Sequence, residues 1–526
     1  MNSKVDQISL AARSAVQKRD WATVHAAATA ILRHEQESAE GHFLMGLVEK
    51  AAQHPAIAVN QFETALRIDD NRHDAAIELA DQLIQSRRNG DAKALIDKYV
   101  DRLSNSPRYL DMAATVLSNI GLNQEAWPLY EKANRLQPNM PLFRANLAAC
   151  AVFVGKIDEA AQIYKELLAN RPSHQRNHYH LSRLAKATDD THIREMTQLI
   201  EANGLPPDKN VYLYYAIGKE YEDLEDWDKA FQYLKTAGDA VASVANYSIM
   251  SDLTIIDTIK DVCDADWLQA EPAKQPTDVQ GKTPCFVLGL PRTGTTLTER
   301  IISSHSEVQT IGETEFIEFA LRLKSGVQTQ ERMSVDIIRA AGQIDSHEIA
   351  NEYLNRVAYV LDDEPIFIDK LPHNFMYLGF IAKAFPDAKF VHLNRHPMDA
   401  CFAMYKQVFT WAFKFSYTLD GIADFYIAYT QLMDHWRSLL GDRLIDVTYE
   451  SLVANQEVET RRLLEKLDLD FEDACLNFEK NTAASATASS VQVREKIHSR
   501  SVDKWKRFER QLQPLAERLT AAGIDI

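Results

Sequence analysis

The sequence predicts a two-part chain: an all-α array of repeated helix pairs, then an α/β domain on a parallel sheet. Three observations carry this. Small residues recur at a fixed step through the first half. A glycine-containing loop joins an apolar run to a helical pattern at 284–304, and strand and helix patterns alternate after it.

The composition bounds the classes open to the chain. Its 526 residues allow two to four domains, each with its own core. A hydrophobic content of 46% and a charged content of 25% are ordinary for a globular protein. The net charge of −17 argues against nucleic acid or an anionic membrane as partner, and requires any polyanion site to be locally basic. Cys150, Cys263, Cys285, Cys401 and Cys475 are odd in number and form no CxxC pair. They read as reduced core thiols, not a disulfide frame or a zinc site. Met1-Asn-Ser-Lys-Val-Asp opens no apolar signal region, and no run is long and apolar enough to span a membrane. The expectation is a cytoplasmic protein.

Residues from about 5 to 244 are helical in pattern. Ala58, Ala92, Ala126 and Ala160 stand 34 apart, which is the tetratricopeptide period. Four positions on come Phe62, Ile96, Tyr130 and Tyr164; seven on come Ala65, Tyr99, Ala133 and Leu167. Pro138 and Pro172 close two of the units. Val24, Ala28 and Ile31 fit one period earlier, after Asp20-Trp21, as a divergent first unit. The register lapses over about 174–210 and returns with Tyr214, Ile217, Gly218, Tyr221, Ala230, Leu234 and Ala237. The small residues let paired helices approach, and the large ones fill the gap to the next pair. A repeat solenoid is thus expected over 1–250, its concave face suited to a peptide or protein. The stretch 271–284 has three prolines and no apolar period, so 251–282 reads as a linker. The α/β domain is expected over 283–526.

Phe286-Val-Leu reads as a buried parallel strand, Gly289–Thr296 as a loop and Leu297–Ser304 as a helix, together a ready anion site. Gly289-x4-Gly294 matches the first half of a Walker A loop, but Thr295-Thr296 replaces its Lys-Ser/Thr. That disfavours ATP and GTP and suits a shorter phosphate, with Arg292 as forked donor. A plain strand–turn–helix stays equally open on the loop alone. Next come a short extended piece within His305–Phe316 and an amphipathic helical region over Ser334–Leu361. Then follow a strand ending in a polar cluster (Pro365–Pro372), a helix over Phe375–Phe385, a strand over Phe390–Asn394, a helix over Met398–Phe409 and a strand from Leu444. This alternation implies ligands outside the carboxyl ends of the strands.

From Cys285 to about Phe508 the chain resembles the sulfotransferase family, and is similar to its bacterial tetratricopeptide-repeat type and to tyrosylprotein sulfotransferases. Four blocks in family order carry the resemblance. Pro291, Arg292, Thr293, Gly294, Thr295 and Thr296 resemble the loop for the 5′-phosphosulfate of 3′-phosphoadenosine-5′-phosphosulfate (PAPS). Gly312-Glu313 resembles the segment of the catalytic carboxylate, Phe390–Asp399 the 3′-phosphate strand and loop, and Val447–Leu452 the strand beside the adenine. The implied fold is a P-loop-like sulfotransferase domain, and the implied activity is sulfuryl transfer from PAPS to an acceptor hydroxyl without a metal.

The resemblance assigns roles residue by residue. Glu313 is the implied general base; a helix N-terminal glutamate is the alternative. Glu315 is a weaker candidate, and it stands where the tyrosine enzymes carry an arginine for acidic peptides. Lys370 meets the bridging oxygen, with Arg292 the second catalytic cation and Asp369 holding the lysine. His373 is a rival base, as in small-molecule sulfotransferases. Arg395 binds the 3′-phosphate, but Ala403 stands where the family has a serine for that phosphate. Arg494, Arg500 and Lys504 could compensate, in a segment resembling the C-terminal nucleotide-closing loop before Trp505; a solvated face is the alternative for each. Thr482–Ser490 has the composition of a mobile loop. Tyr449 is an aromatic near the adenine or a plain core residue, and Arg300 reads as helix surface. The acceptor is left between a peptide, such as a tyrosine held by the repeats, and a small molecule, lipid or glycan. A P-loop kinase and a repeat scaffold with an inactive α/β domain are the competing classes, and homo-oligomerisation is left open.

Overall fold

The computed structural model describes residues 4–103, 105–270, 281–409, 413–487 and 489–526. The expected linker over 271–280 lies outside them, as does Ala488 of the serine- and alanine-rich run. Among the described residues, Lys4 to Gln269 holds helices and no strand. The marker alanines Ala58, Ala92, Ala126 and Ala160 are all 0% exposed, so the 34-residue register is the buried seam of the helix pairs. Phe62, Ile96, Tyr130 and Tyr164 are buried beside them. Pro55 and Pro107 open helices at positions that need no amide donor. The turn inside each pair repeats too. Arg19, Gln53, Arg87, Gly121 and Gly155 all have positive φ and stand 34 apart.

The chain divides into two compact units, 1–154 and 155–526. The second unit contains both the later helix pairs and the sheet. Tyr215, Ala216, Leu234 and Ala237 share one apolar core with Phe286, Phe402 and Trp436. Ile249–Val262, expected within a linker, is a helix whose Ile256 and Ile259 enter that core. Their i, i+3 spacing is the helical signal.

The sheet has five parallel strands: β1 (Thr283–Gly289), β2 (Val308–Thr310), β3 (Ile366–Lys370), β4 (Lys389–Asn394) and β5 (Leu444–Thr448), in the order β2-β3-β1-β4-β5. Alternation along β1 sends Phe286 and Leu288 into the core shared with the helix pairs, and Cys285 and Val287 into a second core with Ile301 and Leu464. The chain builds β2 and β3 on one side of β1 and then β4 and β5 on the other. The carboxyl end of β1 is therefore the switch point where open α/β sheets bind ligands. Expected helices are shorter in fact. Pro372–Met376 is a 3₁₀ turn before Leu378–Ala384, and Pro397–Tyr405 ends ahead of Phe409. Among the described residues no helix is long and apolar enough to cross a membrane, and the five cysteines are buried free thiols.

Candidate active site

The loop after β1 is built by three unusual backbone positions. Gly289 has φ +145, and a Cβ there would lie 2.7 Å from the Leu393 carbonyl oxygen. Gly294 has φ +107, and a Cβ there would lie 2.7 Å from the Tyr449 ring. Arg292 itself has φ +68. Thr293 Oγ1 donates to the Leu290 carbonyl at 2.7 Å, tightening the turn. Helix Thr295–Ile302 follows, and its first amides point back toward the loop.

Arg292 reaches across to the C-terminal segment. It donates to Ser489 Oγ and, at 2.9 Å, to Gln492 Oε1. Burial, together with Arg183 and Arg395, pushes its pKa down to about 10. Thr296 Oγ1 meets Thr487 Oγ1 at 3.4 Å, so the run read as a mobile loop lies over the phosphate-type loop. Arg300 corrects a sequence expectation. It is 5% exposed and donates to the Asn481 and Ala483 carbonyls at 3.2 and 2.8 Å, fastening the same segment.

Lys370 ends β3 and is fully buried. Its ammonium donates to Glu313 Oε1 and lies 3.6 Å from Glu299 Oε2. Burial pulls its pKa down, but the two carboxylates outweigh this and raise it. Glu313 sits ahead of the helix starting at Phe316, and its side chain is 39% exposed. It thus faces both the lysine and solvent, as a proton acceptor for an incoming hydroxyl must. Glu299, on the helix after the loop, escaped sequence reasoning; Thr310 Oγ1 donates to it at 2.6 Å. Asp369 does not bond to Lys370, because successive strand residues face opposite sides. Its carboxylate accepts from Thr314 Oγ1 at 2.5 Å and Tyr353 OH at 2.9 Å, and burial pushes its pKa up to about 7. His373 stands edge-on to Phe375, Tyr377 and Phe413, and burial and Arg332 push it down to about 4. Glu315 pairs with Arg332 at 2.5 Å, and Glu318 shares that guanidinium at 2.7 Å.

Arg395 follows β4 and lies 4.9 Å over the Tyr449 ring. It donates to the Arg292 carbonyl at 2.8 Å and to the Ser501 carbonyl, and its Nε is buried without a hydrogen-bond partner. Asp399, 3.9 Å from Arg395, accepts from the Asp503 and Trp505 amides at 2.8 and 2.9 Å. The Trp505 ring stacks on His396 at 5.6 Å. The three basic residues expected to reinforce this corner part company. Arg500 is exposed and pairs with Glu495. Arg494 packs its guanidinium against Gly155, where φ is +88 and a Cβ would lie 2.5 Å from its Cζ. Lys504 pairs with Glu222 of the helix Val211–Asp223. Among the described residues no cluster of three or more His, Cys, Asp or Glu side chains could hold a metal ion.

Residues 284–473 match the family model of the sulfotransferase family. An uncharacterized protein of Aquifex aeolicus (strain VF5) is 30% identical over 425 residues, covering 80% of this chain and 55% of that protein. A protein-tyrosine sulfotransferase of Drosophila melanogaster is 25% identical over 255 residues, covering 46% of this chain and 51% of that protein. The chain therefore spans about half the length of these two curated relatives. Among solved structures, the sulfotransferase domain of the Synechococcus PCC 7002 olefin synthase covers 48% of this chain at 20% identity, with a TM-score of 0.33. The candidate residues from Pro291 to Tyr449 fall inside the matched segment; Arg494, Arg500 and Lys504 fall beyond it.

Proposed function

We propose that the sheet-bearing unit is a PAPS-dependent sulfotransferase that moves a sulfuryl group to an acceptor hydroxyl. One convergence carries the reading. Arg292, Lys370 and Arg395 stand at the carboxyl ends of three adjacent strands, with the accessible carboxylate of Glu313 on Lys370. The residues suit the donor. Arg292 and the helix amides match a 5′-phosphosulfate, Arg395 has a buried unpaired Nε for a further anion, and Tyr449 offers a ring beside Gly294. PAPS supplies an activated sulfuryl group on a phosphate leaving group.

The remaining chemistry belongs to the chain. Glu313 takes the acceptor's hydroxyl proton as the new S–O bond forms. Lys370, kept charged by its two carboxylates, offsets the negative charge on the departing phosphate oxygen. Arg292 meets the non-bridging oxygens and holds the line of transfer, the electrostatic pattern of phosphoryl transfer. Ser489 and Gln492 accept from Arg292 and fix the direction of its guanidinium.

For the acceptor, similarity to protein-tyrosine sulfotransferases favours a tyrosine hydroxyl. A small-molecule hydroxyl is the second reading. Glu315 and Glu318 set two carboxylates against the single guanidinium of Arg332, a poor surface for an acidic peptide. Calorimetry on the full chain tests the nucleotide assignment, with adenosine 3′,5′-bisphosphate and adenosine 5′-phosphate as ligands. The 3′-phosphorylated ligand should bind at least about tenfold tighter, the usual worth of a charge-assisted contact. Equal affinities would sink the reading.

A further inference from the structure

Beside Arg395 lies a charge cluster that joins a repeat helix to the sheet, all within 155–526. Glu222 is 9% exposed, and its carboxylate accepts Lys406 Nζ at 2.9 and 3.0 Å and pairs with Lys504. Lys406 caps the helix Pro397–Tyr405, which begins directly after Arg395-His396. Lys504 lies between Asp503 and Trp505, whose amides bond to Asp399, and Asp399 is 3.9 Å from Arg395. Three cations, Arg395, Lys406 and Lys504, thus face two carboxylates, Asp399 and Glu222. Arg395 and Lys406 are largely buried and Lys504 is about one-third exposed, so the corner carries surplus positive charge partly withdrawn from water, where an unbalanced charge is costly.

The strain of that surplus falls on Lys406. Burial pushes its pKa down to about 8 although Glu222 opposes this, and Lys504 and Arg395 lower it further. Glu222 responds oppositely. Burial raises its pKa, but Lys406 and Lys504 outweigh that and hold it at about 2. A carboxylate this firmly ionised fixes the lysines without neutralising the corner. Ala403 stands one helical turn before Lys406, and it lacks the phosphate-binding hydroxyl that the family pattern places there.

We propose that Lys406, held in place by Glu222 of the repeat helix, sets the preference for a 3′-phosphorylated nucleotide in place of the hydroxyl missing at Ala403. The inference rests on the PAPS reading above. It makes the repeat helix Val211–Asp223 a positioning element of the nucleotide site, so the sulfotransferase segment alone does not contain the whole of that site.

The test compares adenosine 3′,5′-bisphosphate and adenosine 5′-phosphate by calorimetry on the full chain and its variants. Lys406→Met should weaken binding of the bisphosphate by about ten- to hundredfold and leave the monophosphate within about twofold. Lys406→Arg should keep most of the discrimination. Because Lys406→Met leaves Glu222 short of a partner, the double variant Glu222→Gln/Lys406→Met, which removes one charge of each sign, supplies a second reading and should lose the preference equally. A purely structural tether would change the melting temperature while keeping the wild-type affinity ratio. That ratio, in either Met variant, overturns the proposal. If the wild-type chain itself does not discriminate, the PAPS reading falls first and this inference with it.

Discussion

At the scale of single residues, the choice of base rests on what surrounds each candidate. Glu313 is accessible and bonded to a buried lysine, whereas His373 is boxed by three aromatic rings and pushed down to about 4. Glu313→Gln keeps the side-chain shape, and Lys370 retains Glu299, so the fold and nucleotide affinity should persist. Turnover should fall by about 10²–10⁴-fold, the usual worth of a positioned general base. His373→Ala should cost far less. Steady-state kinetics on both variants decide it, and a reversed ranking would move the base to the histidine. Glu313 and Lys370 were both legible in the sequence, because each stands beside a strand end within a recognisable block. Glu299 was not. It reads as one polar residue on an amphipathic helix, and its nearness to Lys370 depends on the pairing of β1 with β3.

At the scale of elements, β3 does two jobs by alternation. Lys370 faces the candidate site, while Asp369 turns the other way and joins Thr314, Tyr353 and Asn374. Burial raises the Asp369 pKa to about 7 from an ordinary 3.8. The folded chain therefore holds a proton that the unfolded chain has released, and stability should decline as pH rises between about 4 and 7. Asp369→Asn removes that titration. Its stability relative to wild type should increase steadily across this window in urea unfolding, and parallel curves at every pH would show that the carboxyl is already ionised. The repeat register was legible because burial demands small residues at fixed positions. The left-handed turn inside each pair was not. Only Gly121 and Gly155 mark it with glycine, while Arg19, Gln53 and Arg87 adopt the same conformation with ordinary side chains. The contacts of the segment over the phosphate-type loop were not legible for a related reason. Its composition shows no packing pattern, and it meets Arg292, Thr296 and Arg300 through single polar contacts.

At the scale of the whole molecule, the sequence places a boundary where composition changes, near the prolines after 270, whereas the compact units divide at 154/155. The two criteria respond to different physics. Composition marks chain that lacks an apolar face, but a unit is defined by where buried surface is shared. Helices beyond 155 place Tyr179, Leu213, Tyr215 and Leu234 in the same core as Phe286, Phe375 and Phe402, and Glu222 is buried against Lys406 and Lys504. Cutting at residue 244 would strip that apolar surface and leave two lysines without their carboxylate, a loss far beyond the few kcal/mol margin of a typical domain. A chain of residues 155–526 should therefore be soluble, melt cooperatively and bind adenosine 3′,5′-bisphosphate about as tightly as the full chain. A chain of 245–526 should aggregate or melt without a cooperative transition. Paired expression, scanning calorimetry and nucleotide titration would decide between the boundaries. If the shorter chain folds and binds as well as the longer one, the repeat helices contribute neither core nor site, and the role assigned to Glu222 fails with them.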